Sequence, residues 1–214
     1  MRNLEEIRRH YQQGSLNQTD LFPDPMTMFY KWWDEAIDSE IVEPNAMTLA
    51  TVNPHGQPTA RVVLLKAASE DGFEFFTNYD SPKGKDIEFN NKVALVFLWK
   101  DLERQIRIEG LAEKLSREKS QVYFQSRPRG SQIGAWASPQ SQVIADRNKL
   151  EEEVEKISEQ YENVDPLPCP ENWGGYIVKP IQIEFWQGRP DRLHDRFRYK
   201  RTEDDRWMVE RLAP

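Results

Sequence analysis

Between Met47 and Ala112 the chain repeats one pattern: a short apolar or alternating run, a turn signal, then another run. Met47 to Asn53 meets Pro54-His55-Gly56, Thr59 to Lys66 runs on toward Asp71-Gly72, and Phe73 to Asn78, Val93 to Trp99 and Arg104 to Ala112 complete the series. Period-two runs of this length suit half-buried strands, and the Pro, Gly, Asn and Asp between them suit reversals. The pattern returns at Tyr176 to Val178, Ile181 to Gln187, Leu193 to Arg201 and Arg206 to Leu212. So many short antiparallel strands leave exposed edges unless the sheet closes on itself. The expected fold is therefore mainly β, a barrel with flanking helices.

The helices are readable from a different period. After Pro25, Met28, Phe29, Trp32, Trp33, Ala36 and Ile37 recur at three- and four-residue steps, which predicts an amphipathic helix to about Ile41. Lys83 to Asn91 reads as a short inserted helix, and Arg117 to Ser126 and Gln132 to Trp136 as helices split at Pro128. Ser138-Pro139 is expected to open a longer helix with the stripe Leu150, Val154, Ile157, Tyr161. Residues 25–214 are then one domain. Residues 1–24 form a polar N-terminal arm with a short helix at Leu4 to Gln12, either a lid or a mobile tail, ending at Pro23-Asp24-Pro25.

Several function classes are disfavoured. A formal net charge of -7 argues against a general nucleic-acid or anionic-membrane binder. Val93 to Trp99, the longest apolar run, is too short to span a bilayer, and the first residues lack the apolar stretch of an export signal. With Cys169 as the sole cysteine, a reducing, cytoplasmic setting is expected. Phosphate-loop, dinucleotide-fold and nucleophile-elbow signatures are missing. His10, His55 and His194 lack metal-ligand spacing, so no bound metal is expected. Cys169, between two prolines, reads as an unreactive loop thiol.

What the sequence does carry is cations set among hydroxyls and aromatics. Residues 189–201 hold six Arg or Lys against two Asp, whereas residues 146–162 hold three against seven acids. On an extended strand Arg192, His194, Arg196 and Arg198 would share one face, and Leu193, Phe197 and Tyr199 the other. Tyr123 and Arg127 lie four apart on a helix, and Ser131 follows the Pro128 break, where free amides suit an anion. Arg61 and Lys66 bracket an apolar strand. Five residues apart they face opposite ways, so one ligand meets both only near a bulge, a strand end or a subunit boundary. Gln105, Arg107 and Glu109 share a polar strand face that suits the carbonyls and ring nitrogens of a heteroaromatic ligand. Each cluster alone also reads as solvated surface, and Trp136 and Trp186 as core.

In order along the chain, Arg61-Val-Val-Leu-Leu-Lys66, Phe75-Phe-Thr-Asn78, Ser126-Arg-Pro-Arg-Gly-Ser-Gln-Ile-Gly-Ala-Trp136, Gln140-Ser141, Trp173-Gly-Gly-Tyr176, Glu184-Phe-Trp-Gln-Gly188 and Arg192-Leu-His-Asp-Arg196 resemble the pyridoxine (pyridoxamine) 5'-phosphate oxidase family, as does the ending Arg211-Leu-Ala-Pro214. The resemblance implies an FMN-binding split β-barrel homodimer with FMN at the subunit interface. It implies oxidation of pyridoxine 5'-phosphate and pyridoxamine 5'-phosphate to pyridoxal 5'-phosphate by oxygen, releasing hydrogen peroxide, with ammonia from the amine. By the same resemblance Arg61, Lys66, Phe76, Thr77, Lys83, Gln105, Gln140, Ser141, Trp186 and Arg196 would contact FMN. Lys66, Tyr123, Arg127 and Ser131 would hold the substrate phosphate, and Arg192 and His194 would act catalytically against the pyridine ring. One position departs: the family commonly has Arg before Lys83, but here Pro82 stands, offering neither charge nor N–H, so a weaker flavin grip is expected. The rival expectations are another split-barrel flavin or F420 oxidoreductase, a non-catalytic carrier of FMN or pyridoxal phosphate, and a nucleic-acid module built on residues 189–201.

Overall fold

The strands found in the computed structural model, which describes residues 10–214, join into a single antiparallel sheet. They are β1 (Ala46–Val52), β2 (Pro58–Leu64), β3 (Ala67–Ser69), β4 (Gly72–Asn78), β5 (Lys92–Trp99), β6 (Arg104–Lys114), β7 (Trp173–Gln187), β8 (Asp195–Arg201) and β9 (Trp207–Leu212). The sheet runs β2-β1-β5-β6-β7-β4-β3, and β8 and β9 branch from β7.

The branch lies at Pro180. Tyr176–Val178 and Ile181–Gln187, two strands by the sequence pattern, are the ends of one strand. A register shift between Glu109 and Gly110 of β6 absorbs the proline, which has no N–H to give a ladder. Before the bulge the far edge of β7 pairs with β4, from Trp173 to Val178; after it, with β8, from Gln182 to Gln187. The sheet thus curls and splits where one residue cannot donate.

Among the described residues, five α-helices cover it: α1 (Pro25–Asp38), α2 (Pro82–Phe89), α3 (Arg117–Ser126), α4 (Arg129–Ala137) and α5 (Arg147–Gln160). In α1 the Asp24 carboxylate accepts from Thr27 N at 2.8 Å, and Met28, Phe29, Trp32 and Ala36 are buried against the sheet. It ends three residues before Ile41, with Glu40 at φ 53°. Helix α5 begins at Arg147, not at Ser138: Asp146 caps it by accepting from Lys149 N at 2.9 Å, while the Ser138 N–H closes α4 on Gly134 O. Its stripe Leu150, Val154, Ile157 and Tyr161 faces inward but stays half-buried.

Two apolar clusters result. The larger fills the curled sheet, with Phe29, Trp32, Phe73, Phe97, Ile106, Ile108, Phe185 and Tyr199 almost fully enclosed. The smaller holds Phe124, Leu167, Cys169 and Trp173, with Phe76, Tyr123 and Trp136 against it. Trp136 lies in α4 and donates from Nε1 to Pro168 O at 2.8 Å. The helix expected at Leu4 to Gln12 lies largely outside the described residues, and His10, Tyr11 and Gln12 are not helical.

Candidate active site

The smaller cluster floors a cavity of about 470 Å³. Phe76, Tyr123 and Trp173 stack as near-parallel rings, with Phe76 3.9 Å from Tyr123 and 5.6 Å from Trp173 between centroids. Gly175 lets this stack lie on the β7 backbone: a Cβ there would sit 2.7 Å from the Phe76 ring. The Arg127 guanidinium rests 4.8 Å above Trp173, and its Nη1 is buried with no hydrogen-bond partner. Burial pushes the Arg127 pKa below its ordinary value. A buried, unpaired guanidinium N–H is costly, and an anion in the cavity would satisfy it.

Lys66, Phe76, Thr77, Lys83, Tyr123, Arg127, Ser131 and Gln140 all line this cavity. Arg61 is not among the residues lining this cavity, and β2 ends between it and Lys66. Leu65 N still bonds to Asn45 O, but Lys66 N bonds to Glu74 O, so the chain changes pairing partner between them and the strand period is lost. Lys83, one residue into α2, donates from Nζ to Thr77 Oγ1, Ser81 Oγ and Gln140 Oε1 at 3.0–3.2 Å. Burial, and then the nearby Arg61, lower the Lys83 pKa. Two cations held close together make a local anion site in an acidic protein.

Three details differ from expectation. Arg127 lies just past the end of α3 and not on its face, yet reaches the cavity through the extended C-cap conformation. The Ser131 amide is not free, because it donates to Pro128 O at 2.8 Å, which leaves the hydroxyl as its available donor. Ser141 is exposed, at φ 66°, and is not part of the cavity wall.

A second group gathers at the other end of β7. Gln105, Trp186 and Arg196 pair directly across β6, β7 and β8, which sets them side by side on one face. Gln105 and Trp186 line a cavity of about 320 Å³. Arg196 donates from Nε to Glu184 Oε1 at 2.8 Å and from Nη1 to Ala213 O at 2.8 Å. The His194 ring lies 4.6 Å from Trp186. Its Nδ1 accepts from Arg189 N at 3.1 Å, which assigns the proton of the neutral ring to Nε2. Burial, then Arg192 and Arg196, lower the His194 pKa. Arg192 and His194 precede β8, so the expected four-residue face is not a strand face: only Arg196 and Arg198 alternate with the buried Phe197 and Tyr199. Arg192 stands exposed on a short turn with φ 63°.

Residues 33–161 match the family described as "Pyridoxamine 5'-phosphate oxidase", and residues 173–214 match "Pyridoxine 5'-phosphate oxidase C-terminal dimerisation region". Two relatives named pyridoxine/pyridoxamine 5'-phosphate oxidase are similar over essentially their whole length. That of Salinibacter ruber is 52% identical, covering 100% of both chains, and that of Leptospira interrogans serovar Lai is 53% identical, covering 99% of this chain and 98% of the relative. This chain belongs to the pyridoxine/pyridoxamine 5'-phosphate oxidase family. Among solved structures, PhzG from Burkholderia lata, in complex with tetrahydrophenazine-1-carboxylic acid, superposes with a TM-score of 0.86 at 28% identity over 92% of this chain and 95% of that one. An FMN-binding protein from Nostoc punctiforme related to the family has the same fold, with a TM-score of 0.72 at 18% identity over 91% of this chain and 100% of that one.

In this oxidase-family chain the sequence reading missed Tyr11. Its ring packs edge-on against both Trp186 and His194, and it lines the second cavity. The arm backbone beside it is held by two carboxylates. Glu103 accepts from Gln12 N and Gln13 N at 2.7 and 2.9 Å, and Asp195 accepts from Leu16 N at 3.1 Å. Gly188 makes room, since a Cβ there would sit 2.9 Å from the Tyr11 ring. No periodicity marks a single tyrosine in a polar arm; the glycine ending Glu184-Phe-Trp-Gln-Gly188 was the one available hint.

Proposed function

We propose that this chain is a pyridoxal 5'-phosphate synthase of the oxidase type, acting on pyridoxine 5'-phosphate and pyridoxamine 5'-phosphate with FMN as cofactor. The observation that carries the substrate side is the aromatic-floored cavity in which the buried Arg127 Nη1 lacks a partner beside Lys66, Tyr123 and Ser131. Those are phosphate-binding groups without a protein carboxylate among the cavity-lining residues. The donor set fits FMN as well: Arg61 and Lys83 for its phosphate, and Gln105, Trp186 and Arg196 for its ring system.

Bound FMN supplies the acceptor for the two electrons leaving the substrate's C4' carbon, and oxygen is the terminal acceptor, yielding hydrogen peroxide. The protein's own part is placement. The Arg127 clamp holds the substrate far from the reacting carbon and turns that binding into orientation. Arg192 covers the pyridine ring, and His194, neutral with its proton on Nε2, presents a hydrogen-bond donor to it. The amine substrate is also hydrolysed after oxidation, releasing ammonia.

The two residue groups belong to one site only if two chains meet. Gly175, paired with Phe76, and Trp186 lie on the same strand about 36 Å apart at ~3.3 Å per residue, measured along β7. A homodimer would bring the first group of one copy against the second group of the other, with FMN between them. The match of residues 173–214 to a dimerisation region supports this, as do the exposed apolar side chains Val62, Leu64 and Leu98. Among the described residues no helix is long and apolar enough to cross a membrane, and a cytoplasmic location accords with phosphorylated substrates.

The test is direct: purified protein should be yellow, bleach when pyridoxamine 5'-phosphate is added without air, and release peroxide on pyridoxine 5'-phosphate in air. Bleaching or peroxide release that fails while FMN is bound leaves a carrier and not an oxidase.

A further inference from the structure

Deepening the reading of Arg61 as a ligand of the FMN phosphate, we propose that Asp86, acting through the hydroxyls of Thr51 and Thr59, is the positioning residue that sets the Arg61 guanidinium in place for that phosphate. Asp86 lies on α2, Thr51 and Thr59 are directly opposite each other on β1 and β2, and Arg61 is two residues along from Thr59. Both Asp86 and Thr51 are buried, at 5% and 1% exposure.

The proton count of the cluster favours one arrangement. Asp86 Oδ2 lies 2.7 Å from Thr51 Oγ1 and 2.9 Å from Thr59 Oγ1, and a carboxylate only accepts. Each hydroxyl owns one proton, and the charged Oδ2 is a stronger acceptor than a neutral hydroxyl; with both protons on Oδ2, the 2.9 Å contact between the hydroxyls has no proton left to bridge it. Their free lone pairs then face Arg61, which only donates: Nη1 to Thr51 Oγ1 at 2.8 Å and Nη2 to Thr59 Oγ1 at 2.6 Å. Arg61 Nη1 also donates to Leu49 O at 3.1 Å. The carboxylate itself stands 3.9 Å from Nη2, too far for a direct hydrogen bond, so it acts on Arg61 mainly by orienting the two acceptors.

The arrangement also ties the cation pair together. Asp86 and Lys83 are on the same short helix, so the group that fixes Arg61 is carried by the element that delivers the second cation. A guanidinium held in one orientation loses less freedom when it meets a phosphate than one that must be ordered on binding.

The experiment is a fluorescence titration of the full chain, stripped of flavin, with FMN and separately with riboflavin, which lacks the phosphate. Thr51→Val and Asp86→Asn should each weaken FMN binding about tenfold, the scale of a lost hydrogen bond to a charged group. Riboflavin binding should stay within about twofold, and Thr51→Ser, which keeps the hydroxyl, should restore the parent value. Thr59→Val, at a half-exposed position, repeats the measurement with less risk to folding, and the melting temperature of each flavin-free variant is recorded beside it. Equal weakening of FMN and riboflavin means the cluster only braces α2 against the sheet, and unchanged FMN binding means Arg61 needs no orienting; either result overturns the proposal. A parent protein that binds FMN no more tightly than riboflavin fails at an earlier point, removing the phosphate reading of Arg61 and the proposal with it.

Discussion

Tyr11 stands edge-on to His194, with ring centroids 5.7 Å apart and planes at 69°, and edge-on to Trp186 at 5.8 Å and 88°. The arm is thereby a wall of the second cavity, fastened by Glu103 and Asp195. The contact is made by the ring and not the hydroxyl. Tyr11→Ala should raise KM about three- to tenfold, the worth of one aromatic pair, while Tyr11→Phe stays within about twofold. Steady-state kinetics with pyridoxine 5'-phosphate decides it, and a KM unmoved by Tyr11→Ala removes the arm from the site.

His194 should be neutral at pH 7. Its Nδ1 already accepts the Arg189 N–H, and burial with Arg192 and Arg196 disfavours the cation. Because the folded value lies below the unfolded one, the unfolded chain takes up the proton more readily. Stability from this residue is therefore present above the ordinary value near 6.5 and declines as pH falls through it toward the folded value. Nitrogen NMR of the ring should report the proton on Nε2 and a midpoint under 6.5; a midpoint above it contradicts the assignment.

Arg127 and Arg192 should separate in kinetics. Removing the unpaired Arg127 donors takes away ground-state and transition-state binding alike, so Arg127→Ala should raise KM by about tenfold or more with a smaller change in kcat. With Arg192 in its proposed place over the pyridine ring, Arg192→Ala should depress kcat as well. Equal, small effects from both would falsify these roles.

Pro82 occupies the first position of α2, after the cap Ser81 and before Lys83. It adds no charge where the family commonly has Arg. Pro82→Arg should tighten FMN binding severalfold in a dissociation titration, because a third cation joins Arg61 and Lys83 near the phosphate. No gain in affinity sinks the expectation of a weakened grip.

Much of the molecule was legible before any coordinates. Side-chain alternation located the long strands other than β7 to within a few residues, because period two is imposed by the pleat wherever one face is buried, as Ile106 and Ile108 against Gln105 and Arg107 illustrate. Long, ordered motifs such as Ser126 to Trp136 carried the family. The misplaced start of α5 reflects the cap signal at Ser138-Pro139, whereas in the fold the helix is capped by Asp146.

Most of the strand and helix content, the family and the side chains suited to phosphate chemistry were readable from the chain alone, since these follow from local periodicity and residue type. That β7 is one strand bent at Pro180, that the chain changes pairing partner between Arg61 and Lys66, and that Tyr11 reaches His194 came from the fold alone. Each of those depends on contacts between residues far apart in the chain, where hydrogen-bond partners are allotted by the whole sheet and leave no mark on the neighbouring residues.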